Sequence, residues 1–388
     1  MRRARRTLVF LLLAGAIATA AAVWAWPKPA RPTIPVPSVA LAPGEGGTWL
    51  DAALVPEQPD LVALPLLVTG RASAGPKGAL LQEWPGFHAE ARFSGTSVSV
   101  RFQDNVNRWR VLLNDGRAGQ VEISRPGVTD LRIRGLTAGE YRIRVEKISE
   151  SSMPTSFGGI LIGADAAPLP APQPAPRLIE FIGDSDTLGF ANGAQLRDCS
   201  EEEVFSATDT SRSFGPQVAA RLGADYRIIA RSGIGLLRNF GGASPMARMP
   251  GRYPLALPSE PSAARQPEQP ADIVVTALGS NDFGSDLTEG EPWPDRASLS
   301  RDFGPALLEF LRARVRDNPA AMQVLLAFGE YGSDLIRPHQ LAAEALRAEG
   351  VRTLLVPLPK LQRTACAWHP SDEDHRMIAD WLVDAITR

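Results

Sequence analysis

The 388 residues are 44% hydrophobic and 22% charged, with a formal net charge of −2. That balance excludes a disordered chain and gives no electrostatic reason for a nucleic-acid partner. The length suits two domains. No group of side chains has metal-ligand spacing and no Gly-rich loop has the form of a phosphate cradle, so no metal or cofactor is expected.

Arg2, Arg3, Arg5 and Arg6 precede an uncharged stretch from Thr7 to Trp26, closed by Pro27. With Ala18-Thr19-Ala20 as a cleavage site, residues 1–26 fit an export signal. At about 20 apolar residues the run is also long enough for a retained membrane anchor, and Trp24 and Trp26 suit an interfacial belt. Both readings leave the rest of the chain outside the cytoplasm, periplasmic or extracellular, with the inner membrane as the possible anchor site. No Cys precedes Cys199, which excludes a lipoprotein anchor.

Residues 27–45 are proline-rich and read as an extended spacer. From 46 to 165 the period is two: Ala89-Glu90-Ala91-Arg92-Phe93, Val98-Ser99-Val100-Arg101-Phe102, Leu131-Arg132-Ile133-Arg134 and Tyr141-Arg142-Ile143-Arg144-Val145 all alternate apolar with polar. Half-buried strands separated by Ser94-Gly95, Asp115-Gly116, Pro126-Gly127 and Ala138-Gly139 imply an antiparallel β-sandwich, with scaffolding favoured over an independent binding role. Residues 166–176 have Pro at nearly every second position, cannot join a sheet interior, and mark a stiff linker.

Strand and helix periods alternate over residues 177–388. Apolar strands are expected at 178–182, 226–230, 273–278, 323–328 and 351–356, with helical spacing between them, so this part is α/β with a doubly wound parallel sheet. Residues 241–270 lack a clear period and read as an irregular loop at the crevice rim.

In such sheets the chemistry lies beyond the carboxyl ends of the strands. Strand one runs into Gly183-Asp184-Ser185-Asp186, strand two into Arg231-Ser232-Gly233-Ile234-Gly235, and strand three into Gly279-Ser280-Asn281-Asp282. Trp368-His369-Pro370 precedes the last helix, with Pro370 at its start. The cysteines, Cys199 and Cys366, have no metal-ligand spacing; in an exported chain they point to a disulfide, with two buried free thiols as the alternative.

G-D-S, S-G, G-S-N-D and W-H-P in this order resemble the SGNH (GDSL-type) hydrolases. The preceding sandwich, Trp84-Pro85-Gly86 and the S-G-I-G-L-L-R-N-F run from Ser232 to Phe240 are more similar still to carbohydrate esterase family 2. The resemblance implies a jelly-roll domain before a hydrolase sheet of flavodoxin-like order. It also implies Ser185 as nucleophile, His369 as general base, and an oxyanion hole from the Ser185 and Gly233 N–H groups and the Asn281 amide. That distribution suits acyl transfer, since a serine needs a base within reach and the tetrahedral oxyanion needs fixed donors.

Four histidines permit elimination. His88 on a sandwich strand and His339 before a helix have no motif beside them and are expected at the surface. Asp372-Glu373-Asp374-His375 has the D-x-x-H form, but His375 would sit inside a helix, and the family's catalytic histidine directly precedes Pro; His369 is preferred. Asp184 and Asp186 are taken as scaffold. Where this family usually carries Asp two residues before the histidine, Ala367 stands. A Ser–His dyad is therefore expected, its Nδ1–H given to a main-chain oxygen or to a carboxylate from another loop.

The resemblance implies an exported serine esterase removing O-acetyl groups from an oligo- or polysaccharide such as acetylated xylan or glucomannan, through an acetyl-enzyme. The alternatives are a non-catalytic glycan-binding protein, a GDSL lipase or thioesterase, and an O-acetyltransferase.

Overall fold

The computed structural model describes residues 36–388; the expected signal or anchor and the first part of the spacer lie outside them. Alternation builds the first domain. One sheet runs, edge to edge, Ser38–Ala42, Gln120–Ser124, Arg108–Leu113, Gly139–Lys147, His88–Gly95 and Ala166–Pro168, with Leu67–Thr69 also on His88–Gly95. The second runs Asp51–Val55, Gly127–Arg134, Val98–Asp104, Thr155–Ile162, Leu80–Gln82 and Ala72–Ala74, with Val62–Ala63 on Thr155–Ile162. Every pairing is antiparallel. Val98, Val100 and Phe102 point inward while Arg101 stays half-exposed. The core centres on Phe87, Phe102, Trp109 and Phe157, packed ring against ring.

Two boundaries differ from expectation. Ser38–Ala42, read as spacer, is an edge strand of the first sheet, because the last proline before it is Pro37 and S-V-A-L-A is free to pair. The linker likewise begins as an edge strand: Ala166–Pro168 pairs with His88–Gly95, and an edge tolerates Pro because one side of the ladder is unused.

The second domain carries strands β1 (Leu178–Gly183), β2 (Asp225–Ala230), β3 (Ile273–Ala277), β4 (Met322–Ala327) and β5 (Thr353–Pro357), all parallel, in the order β2-β1-β3-β4-β5. This is the flavodoxin-like order. Its main helices are α1 (Ser185–Leu188), α2 (Glu201–Ala207), α3 (Phe214–Leu222), α4 (Met249–Arg252), α5 (Ser280–Phe283), α6 (Arg296–Asp317), α7 (Ser333–Ala348) and α8 (Asp372–Thr387). Ser371 caps α8 through a reciprocal box with Asp374, so Pro370 lies just outside that helix. No described helix is long and apolar enough to cross a membrane.

The polar face of the first sheet is turned toward the second domain. Arg110 pairs with Glu122, Glu146 and Asp209, while Arg144 pairs with Glu90 and Glu146 and donates to the Tyr226 hydroxyl. This covering corrects the expectation for His88, which is 1% exposed, lies against Tyr226 at 4.8 Å and bonds through Nδ1 to the Gly86 carbonyl. His339 is also buried: on α7 it packs on Phe303 of α6, and Nδ1 bonds to the Leu335 carbonyl.

The 241–270 segment is irregular, as expected, but much of it is a joint rather than a rim. Tyr253, Leu255, Ala256 and Leu257 are buried. Arg71 of the sandwich pairs with Glu268 and donates to the Tyr253 carbonyl, and the Trp84 indole donates to Leu255.

Candidate active site

Ser185 is the first residue of α1, directly after β1, and 7% exposed. The chain can turn there because residue 183 is Gly: a Cβ would collide with the Thr187 hydroxyl. Asp184 caps the helix by accepting from the Asp186 N–H at 3.0 Å, and the Ser280 hydroxyl donates to its other oxygen. Burial first, then the Asp186 charge, pushes the Asp184 carboxyl up to about 8. Burial also works against ionising Asp186, but Arg363 outweighs it and holds that carboxyl below its usual range. Arg363 grips both Asp186 oxygens at 3.1 and 2.8 Å and Glu330 at 2.8 Å. The two carboxyls are thus pushed in opposite directions, and both support the turn through their hydrogen bonds, as expected.

Gly233 has φ 75°, a left-handed backbone open to glycine. Among the described residues neither the Gly233 nor the Ser185 N–H donates to another group. Asn281 sits in α5 beyond β3 and gives one amide hydrogen to the Ile234 carbonyl at 2.8 Å; an amide has two. Its neighbour Asp282 accepts from the N–H groups of Leu236, Leu237 and Arg238 at 2.9, 2.7 and 2.9 Å. Burial lifts the Asp282 carboxyl to about 6, against the pull of those three donors.

His369 Nδ1 lies 2.9 Å from the Cys366 carbonyl. A carbonyl only accepts, so the proton sits on Nδ1 and Nε2 carries the lone pair. The ring rests on Phe190 at 4.4 Å. The main-chain oxygen expected in place of the missing Asp is thus supplied by Cys366. Cys366 is also half of the disulfide to Cys199, with Cα atoms 5.7 Å apart. Ala367 and Trp368 have positive φ, a tight loop that brings the carbonyl back onto the ring.

His375 has the opposite tautomer. Its Nδ1 accepts from the Phe214 N–H at 3.2 Å, so the proton is on Nε2. The ring is fully buried against Phe214, and burial lowers its pKa to about 4.

Ser185, Gly233, Asn281 and His369 line one cavity of about 460 Å³ with Asp186, Tyr331 and Arg363. Phe240 and Trp368 stand at it, 54% and 63% exposed. Three contributors left no readable signal: the Arg363 clamp, the Cys366 carbonyl, and Glu150 of the sandwich, which accepts from the Ser232 N–H and hydroxyl. Asp282 could have been inferred, since a buried acid ending a motif needs donors.

Comparison with known proteins bears directly on this site. The family model for the N-terminal part of carbohydrate esterase 2 matches residues 68–172. An acetylxylan esterase / glucomannan deacetylase of Cellvibrio japonicus is 30% identical over 326 residues, covering 82% of this chain and 90% of that protein. A solved carbohydrate esterase, whose active site is described as having divergent catalytic and non-catalytic binding functions, superposes with TM-score 0.78 at 30% identity, covering 84% of this chain and 98% of its own. A family two carbohydrate esterase from Clostridium thermocellum in complex with cellohexaose shares the fold, with TM-score 0.70, 24% identity, and 83% and 98% coverage.

Fold, relatives and the cavity's polar groups define a carboxylic ester hydrolase acting on carbohydrate. The chain belongs to carbohydrate esterase family 2.

Proposed function

We propose that the protein is an exported O-deacetylase in which Ser185 attacks the acetyl carbonyl and forms an acetyl-enzyme. The observation that carries this reading is the His369 ring, its Nδ1 proton committed to the Cys366 carbonyl, in the same cavity as Ser185. That tautomer leaves Nε2 to take the serine proton as the Oγ–C bond forms. The proton then passes to the sugar oxygen as the ester C–O bond breaks, and water, deprotonated by the same nitrogen, releases acetate and free Ser185. The Ser185 and Gly233 N–H groups and the second Asn281 amide hydrogen serve the tetrahedral oxyanion, each donor worth about 3 kcal/mol of barrier.

A polysaccharide substrate is supported by the named activity of the Cellvibrio relative and by the cellohexaose bound to the Clostridium esterase. The exposed faces of Phe240 and Trp368 offer apolar platforms for sugar rings. The basic N-terminus with its apolar run, together with the disulfide, supports export.

Glycan binding without turnover is the second reading, favoured by Ala367 and by the binding function described for the solved relative. Acetate release from acetylated xylan and glucomannan by wild type, Ser185→Ala and His369→Ala separates the two. The deacetylase reading expects both variants to fall by about 10³-fold or more; wild-type rates in Ser185→Ala would contradict the serine mechanism, and no release above the spontaneous rate by any form would leave the binding protein.

A further inference from the structure

The strand-two loop that presents Gly233 is held from two sides. Downstream, Asp282 fixes residues 236–238 and the Asn239 side chain accepts from the Gly235 N–H at 2.9 Å. Upstream, every side-chain anchor comes from the other domain. Glu83 of the sandwich pairs with Arg231 at 2.9 Å and also accepts from the Ser259 N–H and hydroxyl. Glu150, just past the strand Gly139–Lys147, takes the Ser232 N–H at 2.8 Å and the Ser232 hydroxyl at 2.6 Å on separate oxygens.

Glu150 is itself rigidly placed. Its neighbour Ser149 accepts from the Arg108 N–H and donates to Asn107, and Ser151 donates to the Glu83 carbonyl and accepts from the buried Lys147 ammonium.

Resting on the deacetylase reading, we propose that Glu150 is a positioning residue for the oxyanion hole: the sandwich sets the direction of the Gly233 N–H. Two donors on one residue fix both the backbone entry and the side-chain rotamer of Ser232. The next residue is a glycine at φ 75°, with nothing within 4 Å of where its Cβ would be. Its carbonyl accepts from the Phe240 N–H at 3.0 Å, which holds its far side, while its N–H belongs to the Ser232–Gly233 peptide. With little intrinsic preference in the glycine, the direction of that N–H follows the Ser232 anchor. With the upstream anchor gone, the N–H samples orientations that miss the developing oxyanion, and small misplacements are costly in rate.

The test is acetate release by the full chain with Glu150→Ala, Glu150→Gln and Ser185→Ala, each with its melting temperature. Glu150→Ala is expected to lose about 30-fold in kcat with KM within about 3-fold, because the contact acts on the transition state. Glu150→Gln, which keeps an acceptor for the Ser232 N–H, is expected to recover to within about 5-fold of wild type. A Glu150→Ala kcat within about 2-fold of wild type would overturn the proposal. So would a Gln variant as impaired as the Ala variant at an unchanged melting temperature. Ser185→Ala keeps the two failures apart: wild-type turnover there sinks the deacetylase reading, whereas a dead Ser185→Ala beside a wild-type Glu150→Ala sinks this inference alone.

Discussion

The His369 loop and the Gly233 loop face one cavity but are held by different forces. The loop carrying His369 is anchored covalently: the Cys199–Cys366 bridge fixes the residue whose carbonyl orients the ring, and the Arg197 carbonyl accepts from the Ala367 N–H at 2.8 Å. The loop carrying Gly233 has no covalent tie and is held by three carboxylates, Asp282 from its own domain and Glu83 and Glu150 from the sandwich. One half of the site depends on the redox state of a bond. The other depends on charge and on the two domains staying docked. The sandwich is therefore a structural part of the active centre, even though none of its residues lines the cavity.

Breaking the bridge tests the covalent half and has the largest expected effect. Cys199→Ser with Cys366→Ser is expected to lower stability by about 2–4 kcal/mol and kcat by about 10- to 100-fold, through loss of ring orientation. Thermal melts and acetate release measure both; unchanged kcat in the double variant would show that the Cys366 carbonyl holds the ring without its bridge. The Glu150 variants probe the other half, with the kcat loss of about 30-fold given above but without the accompanying loss of a covalent cross-link.

Asp282→Asn is the mildest change, expected to reduce kcat by about 10-fold as one acceptor oxygen becomes a donor facing an N–H. It also carries a pH signature. The folded pKa of Asp282, about 6, lies above its ordinary 3.8, so the folded state binds the extra proton between those values. The associated stability is fully present below about 3.8 and is lost as pH rises through about 6. Denaturant titrations across that window should show a decline in wild type that is reduced in Asp282→Asn; equal slopes would place the titration elsewhere.

What the sequence revealed was local. An apolar run ending in Gly located β1 and the serine turn, alternation located the sandwich strands, and two cysteines without ligand spacing indicated the bridge. Contacts between distant segments left no pattern. Arg363 meets Asp186 across 177 residues and Glu150 meets Ser232 across 82, and neither pairing repeats with any period. Alternation also tells which side chains share a face, never what covers it. His88, with no motif beside it, gives no sign in the sequence that its face abuts Tyr226 of the second domain. Proline misled in the opposite direction: it ruled out sheet interiors correctly but hid the edge strands Ser38–Ala42 and Ala166–Pro168.

The central claim is that acetyl passes through the Ser185 oxygen with His369 as base. Rapid acid quenching during turnover of an acetylated xylan oligosaccharide, followed by peptide mass spectrometry, tests it most directly. The account predicts an acetyl group on the peptide containing Ser185 in wild type and its absence in His369→Ala. Acetate released with no adduct on Ser185, or with the adduct on another residue, would contradict it.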